Sequence, residues 1–127
     1  MRVLEAFDVL IVDDHEPTRR IYAHALREAG VAHVRDAASG TDALERLGDY
    51  PAAVIVVDNR MPGVSGPEFI AAVRANPVWA HARIVMATGS AEPDVAAAAR
   101  AAGADAVVVK PLTPRALLQA IEAVLGA

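Results

Sequence analysis

The chain of 127 residues predicts one α/β domain, a doubly wound parallel sheet with helices on both faces. Short Val- and Ile-rich runs alternate with helix-period segments along its whole length. Three of these runs end in charge: Val9-Leu10-Ile11-Val12 in Asp13-Asp14, Val54-Ile55-Val56-Val57 in Asp58, and Ala106-Val107-Val108-Val109 in Lys110. No low-complexity stretch or long linker divides the sequence, so the domain is expected to span residues 1–127. Strands buried on both faces read as continuous apolar runs, and open α/β sheets bind ligands beyond the strands' carboxyl ends. Charge gathered at that end marks a site.

Strand one is expected over Asp8–Val12. A helix follows over Pro17–Ala29, with Ile21, Tyr22, Ala25 and Leu26 turned inward and Gly30 as its stop. The more polar His33–Ala37 reads as a weak strand at a sheet edge. Helix two then spans Thr41–Leu47, strand three Ala53–Val57, helix three Pro67–Ala75 and strand four Arg83–Ala87. Helix four, Pro93–Ala102, is almost all alanine and stops at Gly103. Alanine favours helix but gives few large anchors, so this helix is expected to be loosely held and mobile. Strand five, Ala106–Val109, leads into a helix opened by Thr113-Pro114, a cap followed by a first-turn proline, with Leu117, Ile121, Val124 and Leu125 inward.

Composition excludes several functions. A net charge of −4 without a lysine-rich cluster argues against direct nucleic-acid binding. The absence of cysteine removes disulfides, thiolate metal sites and cysteine nucleophiles. Met1–Arg20 has early acids and no signal-type stretch, and no apolar run approaches membrane-spanning length. A cytoplasmic protein without membrane association is expected. His15, His24, His33 and His81 lack ligand spacing and read as surface residues.

Alternating strands and helices imply right-handed crossovers. A flavodoxin-like (βα)5 sandwich of strand order 2-1-3-4-5 sets strands one and three side by side, which would bring Asp13, Asp14 and Asp58 together. Such carboxylates repel: two unit charges at about 4 Å cost roughly 4 kcal/mol at an effective dielectric near 20. A divalent cation neutralises them best, and an all-oxygen site suits Mg²⁺, with Mn²⁺ as a substitute. Lys110 adds a point positive charge; Thr88, at the end of strand four, adds a hydroxyl; and Gly89 lets the main chain approach a ligand closely. Around a nucleophilic carboxylate these groups suit phosphoryl transfer, with Asp58 as acceptor.

Taken together, Asp13-Asp14, Asp58-Asn59-Arg60-Met61-Pro62-Gly63-Val64-Ser65-Gly66, Thr88 and Lys110-Pro111 resemble the receiver domain of two-component response regulators, of the chemotaxis-regulator type. The resemblance covers essentially the whole chain. It implies that Asp58 accepts a phosphoryl group from a sensor histidine kinase or a histidine phosphotransfer protein, or from acetyl phosphate. It implies that Asp14, Asp58 and the Arg60 backbone carbonyl ligate Mg²⁺, with Asp13 acting through water. Thr88, Lys110 and the backbones of Asn59 and Gly89 would hold phosphoryl oxygens, and the bond before Pro111 would be cis. The implied role is a switch read by a downstream protein, not a free-standing enzyme; only its own phosphorylation and dephosphorylation would be catalysed. A phosphorylation-dependent homodimer is compatible with that role.

The chain also departs from the family pattern. Val107 stands where the family usually has Tyr or Phe, and Leu112 where it usually has Phe, so aromatic markers are missing from the face of helix four, strand five and helix five. Arg60 and Ser90 occupy positions that in this family tune water access to the acyl phosphate, and the resemblance implies that the bulky Arg60 lengthens its lifetime. Three other readings compete. A pseudo-receiver that signals by docking alone is kept open by Val107. An aspartyl-phosphate phosphatase of the haloacid dehalogenase type would need an Asp where Arg60 stands. A nucleotide-binding module lacks both G-x-G-x-x-G and a P-loop.

Overall fold

Strands and helices alternate strictly through residues 7–126, which the computed structural model describes: β1 (Asp8–Val12), α1 (Glu16–Glu28), β2 (His33–Ala37), α2 (Gly40–Asp49), β3 (Val54–Asp58), α3 (Gly66–Ala75), β4 (Arg83–Thr88), α4 (Pro93–Ala102), β5 (Ala106–Val109) and α5 (Pro114–Val124). Residues 1–6 and 127 of the expected domain, including the start of the Met1–Arg20 stretch, lie outside the described residues. The strands form one parallel sheet in the order β2-β1-β3-β4-β5. This is the flavodoxin-like topology, with β2 at one edge and β5 at the other.

Side-chain alternation along the strands builds two cores. Leu10, Val12, Ile55, Val57, Ile84 and Met86 face α2, α3 and α4, meeting Leu47, Phe69, Ile70 and Ala99. Val9, Ile11, Val54 and Val56 face α1 and α5, meeting Tyr22, Leu26, Leu117 and Ile121. Most of these side chains are wholly buried, and each fully buried large aliphatic or aromatic residue contributes about 1.5–3 kcal/mol.

Boundaries differ from expectation by one or two residues, chiefly where caps decide them. Ser39 accepts from the Asp42 N–H and starts α2 at Gly40, one residue early. Ser65 and Glu68 form a reciprocal capping box that starts α3 at Gly66. The strand ends also shift: β3 runs on to Asp58 and β4 to Thr88, so both polar residues belong to the sheet itself.

One inward assignment is corrected. Ile21 is 54% exposed, while Ala23 is buried beside Tyr22 and Leu26. The buried stripe of α1 centres on Tyr22 and Leu26, one turn apart. Ile21 falls at the stripe's margin, lining a shallow groove with Thr18, Lys110, Pro111 and Leu112. The four histidines are all exposed. Among the described residues, no helix is long and apolar enough to cross a membrane.

Candidate functional site

Parallel register brings the charged strand ends together. Val12 pairs with Val57, Asp58 with Ala87, and Thr88 with Val109. Asp13 therefore follows β1, Asp58 closes β3, Thr88 closes β4 and Lys110 follows β5, all at the carboxyl edge. One carboxylate oxygen from each of Asp13, Asp14 and Asp58 lies within 4.8 Å of the others.

Lys110 answers part of this negative charge. Its Nζ lies 3.0 Å from Asp13 Oδ2 and 3.0 Å from Asp58 Oδ1. The peptide bond between Lys110 and Pro111 is cis. Asp13 is 3% exposed, and its Oδ1 accepts from the His15 N–H at 2.9 Å. Asp14 is exposed and has no hydrogen bond or ion pair among the described residues.

Burial pushes the Asp58 pKa up. The hydrogen bond and charge of Lys110 pull it down, but Asp13 and Asp14 add to the upward push, and the balance stays above the ordinary value. For Lys110, burial disfavours the ammonium; its hydrogen bonds and charge interactions with Asp58 and Asp13 outweigh that and hold its pKa raised. Among the described residues, Lys110 is thus the one cation in ion-pair contact with these three carboxylates. The remaining negative charge and all-oxygen donor set suit a hard divalent cation. Asp14 and Arg60 line the same side of the crevice, facing Met61 and Ser65.

The other side of the crevice is lined by Asp58, Asn59, Arg60, Thr88, Gly89 and Ser90, around a cavity of about 270 Å³. The Thr88 hydroxyl is buried and accepts from the Ser90 N–H at 3.1 Å. Among the expected main-chain donors, Asn59 does not fit: its N–H already donates to the Ala87 carbonyl at 2.9 Å, extending the β3–β4 ladder by one bond. The N–H groups of Arg60 and Gly89 make no such bond among the described residues. Val107, paired with Met86, is half-buried against the α4 side, and no ring or hydroxyl reaches Thr88 from it.

Two neighbours of the site are not evident from the sequence alone. Arg19 Nη1 donates to the Asp13 carbonyl at 2.7 Å, and its Nε lies 3.4 Å from Asp36 Oδ2, which braces the turn after β1. A signal for it exists: position 19 falls three residues before Tyr22, on the inward stripe, where a cation needs an anionic or carbonyl partner. Tyr22 lines a groove with Lys110, and burial, reinforced by Asp13 and Asp58 against the pull of Lys110, raises its hydroxyl pKa.

Fold and crevice together define a flavodoxin-like α/β domain whose acidic strand ends are bridged by a lysine. Residues 9–122 match the response regulator receiver domain, and the chain belongs to that family, the receivers of two-component signalling. It is 38% identical over 114 residues to the chemotaxis protein CheY of Pseudomonas aeruginosa, covering 90% of this chain and 92% of the relative. Identity to a probable chemotaxis protein CheY of Rhizobium etli is 32% over 127 residues, covering 100% and 98%. Among solved structures, chemotaxis response regulator CheY4 of Vibrio cholerae superposes with a TM-score of 0.87 at 35% identity, covering 92% of this chain and 97% of that one. The chain is a CheY-like receiver domain.

Proposed function

We propose that this domain accepts a phosphoryl group on Asp58 and changes its partner binding in response. The observation that carries the reading is the convergence of Asp13, Asp14 and Asp58 within 4.8 Å, with Lys110 bridging two of them. An Asp58 carboxylate oxygen attacks phosphorus as the bond to a phosphohistidine nitrogen, or to the acetate oxygen of acetyl phosphate, breaks. The leaving group takes that bond's electron pair, and Asp58 becomes an acyl phosphate. Lys110 and the Thr88 hydroxyl meet the phosphoryl oxygens, joined by the N–H groups of Gly89 and Arg60. Arg60 takes the main-chain role expected of Asn59, whose N–H is committed to Ala87.

Asp14, Asp58 and the Arg60 carbonyl would hold Mg²⁺ or Mn²⁺, with Asp13 acting through water. A bound cation supplies charge neutralisation at the transferring group. The donor is a sensor histidine kinase or histidine phosphotransfer protein, and the product is read by a downstream protein in the cytoplasm. The phosphoryl group adds about −1.5 to −2 charge, which draws Thr88 and Lys110 and alters the loops after β4 and β5. Residues 1–127 act as one receiver domain, with a phosphorylation-dependent homodimer as one form of output.

The test is incubation with Mg²⁺ and acetyl phosphate, followed by intact mass. A gain of about 80 Da that Asp58→Asn abolishes is the expected result. No gain with acetyl phosphate or with a kinase donor would leave a docking module that signals unphosphorylated, the reading that Val107 keeps open.

A further inference from the structure

The carboxylates and the lysine do not account for one side chain in the crevice. Asn59 is held by both of its main-chain polar groups: its N–H donates to the Ala87 carbonyl and its carbonyl accepts from the Gly66 N–H, each at 2.9 Å. The first turn of α3 also presses on it, because a Cβ on Gly66 would stand 2.9 Å from the Asn59 Cα and 2.6 Å from the Asp58 carbonyl oxygen. The main chain at Asn59 therefore has little freedom, and a short side chain on it reaches few places. Its Nδ2 lies 3.5 Å from Thr88 Oγ1. That is the long limit of a hydrogen bond, which a small shift of either side chain closes or breaks.

The Thr88 residue is 2% exposed, and its hydroxyl also accepts from the Ser90 N–H at 3.1 Å. A hydroxyl has one proton and two lone pairs. With Ser90 on one lone pair and Asn59 on the other, the proton is left to the remaining tetrahedral direction. Among the described residues no acceptor takes it. The adjoining β5 offers no alternative partner, since Val109 pairs with Thr88 and Val107 with Met86.

We propose that the Asn59 side-chain amide is a positioning residue for Thr88, occupying one lone pair of the hydroxyl and so aiming its proton at a phosphoryl group on Asp58. This rests on the phosphoacceptor reading above. It gives the chain a polar partner for Thr88 within the site, at the residue next to the acceptor, where strand five supplies only alanine and valine.

The test is a double-mutant cycle on the rate of phosphorylation by acetyl phosphate with Mg²⁺, read by intact mass, for the unmodified chain, Asn59→Leu, Thr88→Val and the pair. Asn59→Leu is expected to slow the reaction about three- to tenfold, the scale of one hydrogen bond, and to have no further effect once Thr88 is valine. A merely structural role would slow both backgrounds equally. Equal slowing, or no slowing with Thr88 present, overturns the proposal. Thermal midpoints identify a variant that fails to fold, and Asn59→Ala then takes its place in the cycle, where the same two results support or overturn the proposal. If the unmodified chain gains no mass, the phosphoacceptor reading fails and takes this one with it; that failure is visible before any variant is made.

Discussion

Asp58 is the residue whose environment has the clearest thermodynamic consequence. Its carboxyl pKa is raised, burial being the largest cause. A raised acid is penalised as the carboxylate: the penalty is absent below the unfolded value, about 4, grows as pH rises and is full above the folded value. Asp58→Asn is therefore expected to raise the thermal midpoint at neutral pH, and the advantage should close as pH falls toward about 4. A midpoint difference that does not change with pH would contradict this. Arg60 is exposed and lines both sides of the crevice. On the proposed reading, in which Arg60 shields an Asp58 phosphate from water, Arg60→Ala is expected to shorten the phosphorylated lifetime a few-fold. The decay of the phosphorylated mass after donor removal measures it, and an unchanged decay would dismiss the role.

At the scale of elements, α4 is held unevenly. Its cap residue Glu92 makes no side-chain bond, and Ala99 is its only residue buried throughout. At the other end, Arg74 donates to the Gly103 carbonyl at 2.7 Å and to the Ala80 and Ala82 carbonyls at 2.8 and 2.6 Å, and pairs with Asp105. A helix pinned at its carboxyl end and free at its start frays from the start. Amide exchange should be faster over Asp94–Ala98 than in α5, where Leu117, Ile121 and Val124 are buried. Matching rates would refute the loose attachment that the alanine run suggests. Every strand and helix is legible in the sequence, because period-2 and period-3.6 patterns survive wherever a core selects them. The rest depends on elements distant along the chain. The outward turn of Ile21 depends on where α5 and the Lys110 loop leave room, the commitment of the Asn59 N–H depends on β4, and the partners of Arg74 come from two separate segments. Juxtaposition of Asp13, Asp14 and Asp58 is readable only because strand order follows from a few topological rules.

For the whole molecule, the acidic crevice is expected to couple ion binding to folding. A cation that binds the folded chain and not the unfolded one adds stability by mass action, about 2.7 kcal/mol at a concentration one hundred times its dissociation constant. Mg²⁺ is expected to raise the denaturation midpoint, EDTA to reverse the gain, and Asp14→Asn to diminish it; a midpoint indifferent to Mg²⁺ would show that the crevice holds no such ion. The lysine bridge carries a different kind of consequence. The bond between Lys110 Nζ and Asp13 Oδ2 joins residues 97 positions apart, from the edge strand β5 across β4 and β3 to β1. Contacts of such separation close nearly the whole chain and form only when the intervening topology is in place. A chain that ends before Lys110, or a sheet to which β5 has not yet been added, leaves Asp13 and Asp58 without their shared cation, so the crevice acquires its bridge only when the last strand is laid down.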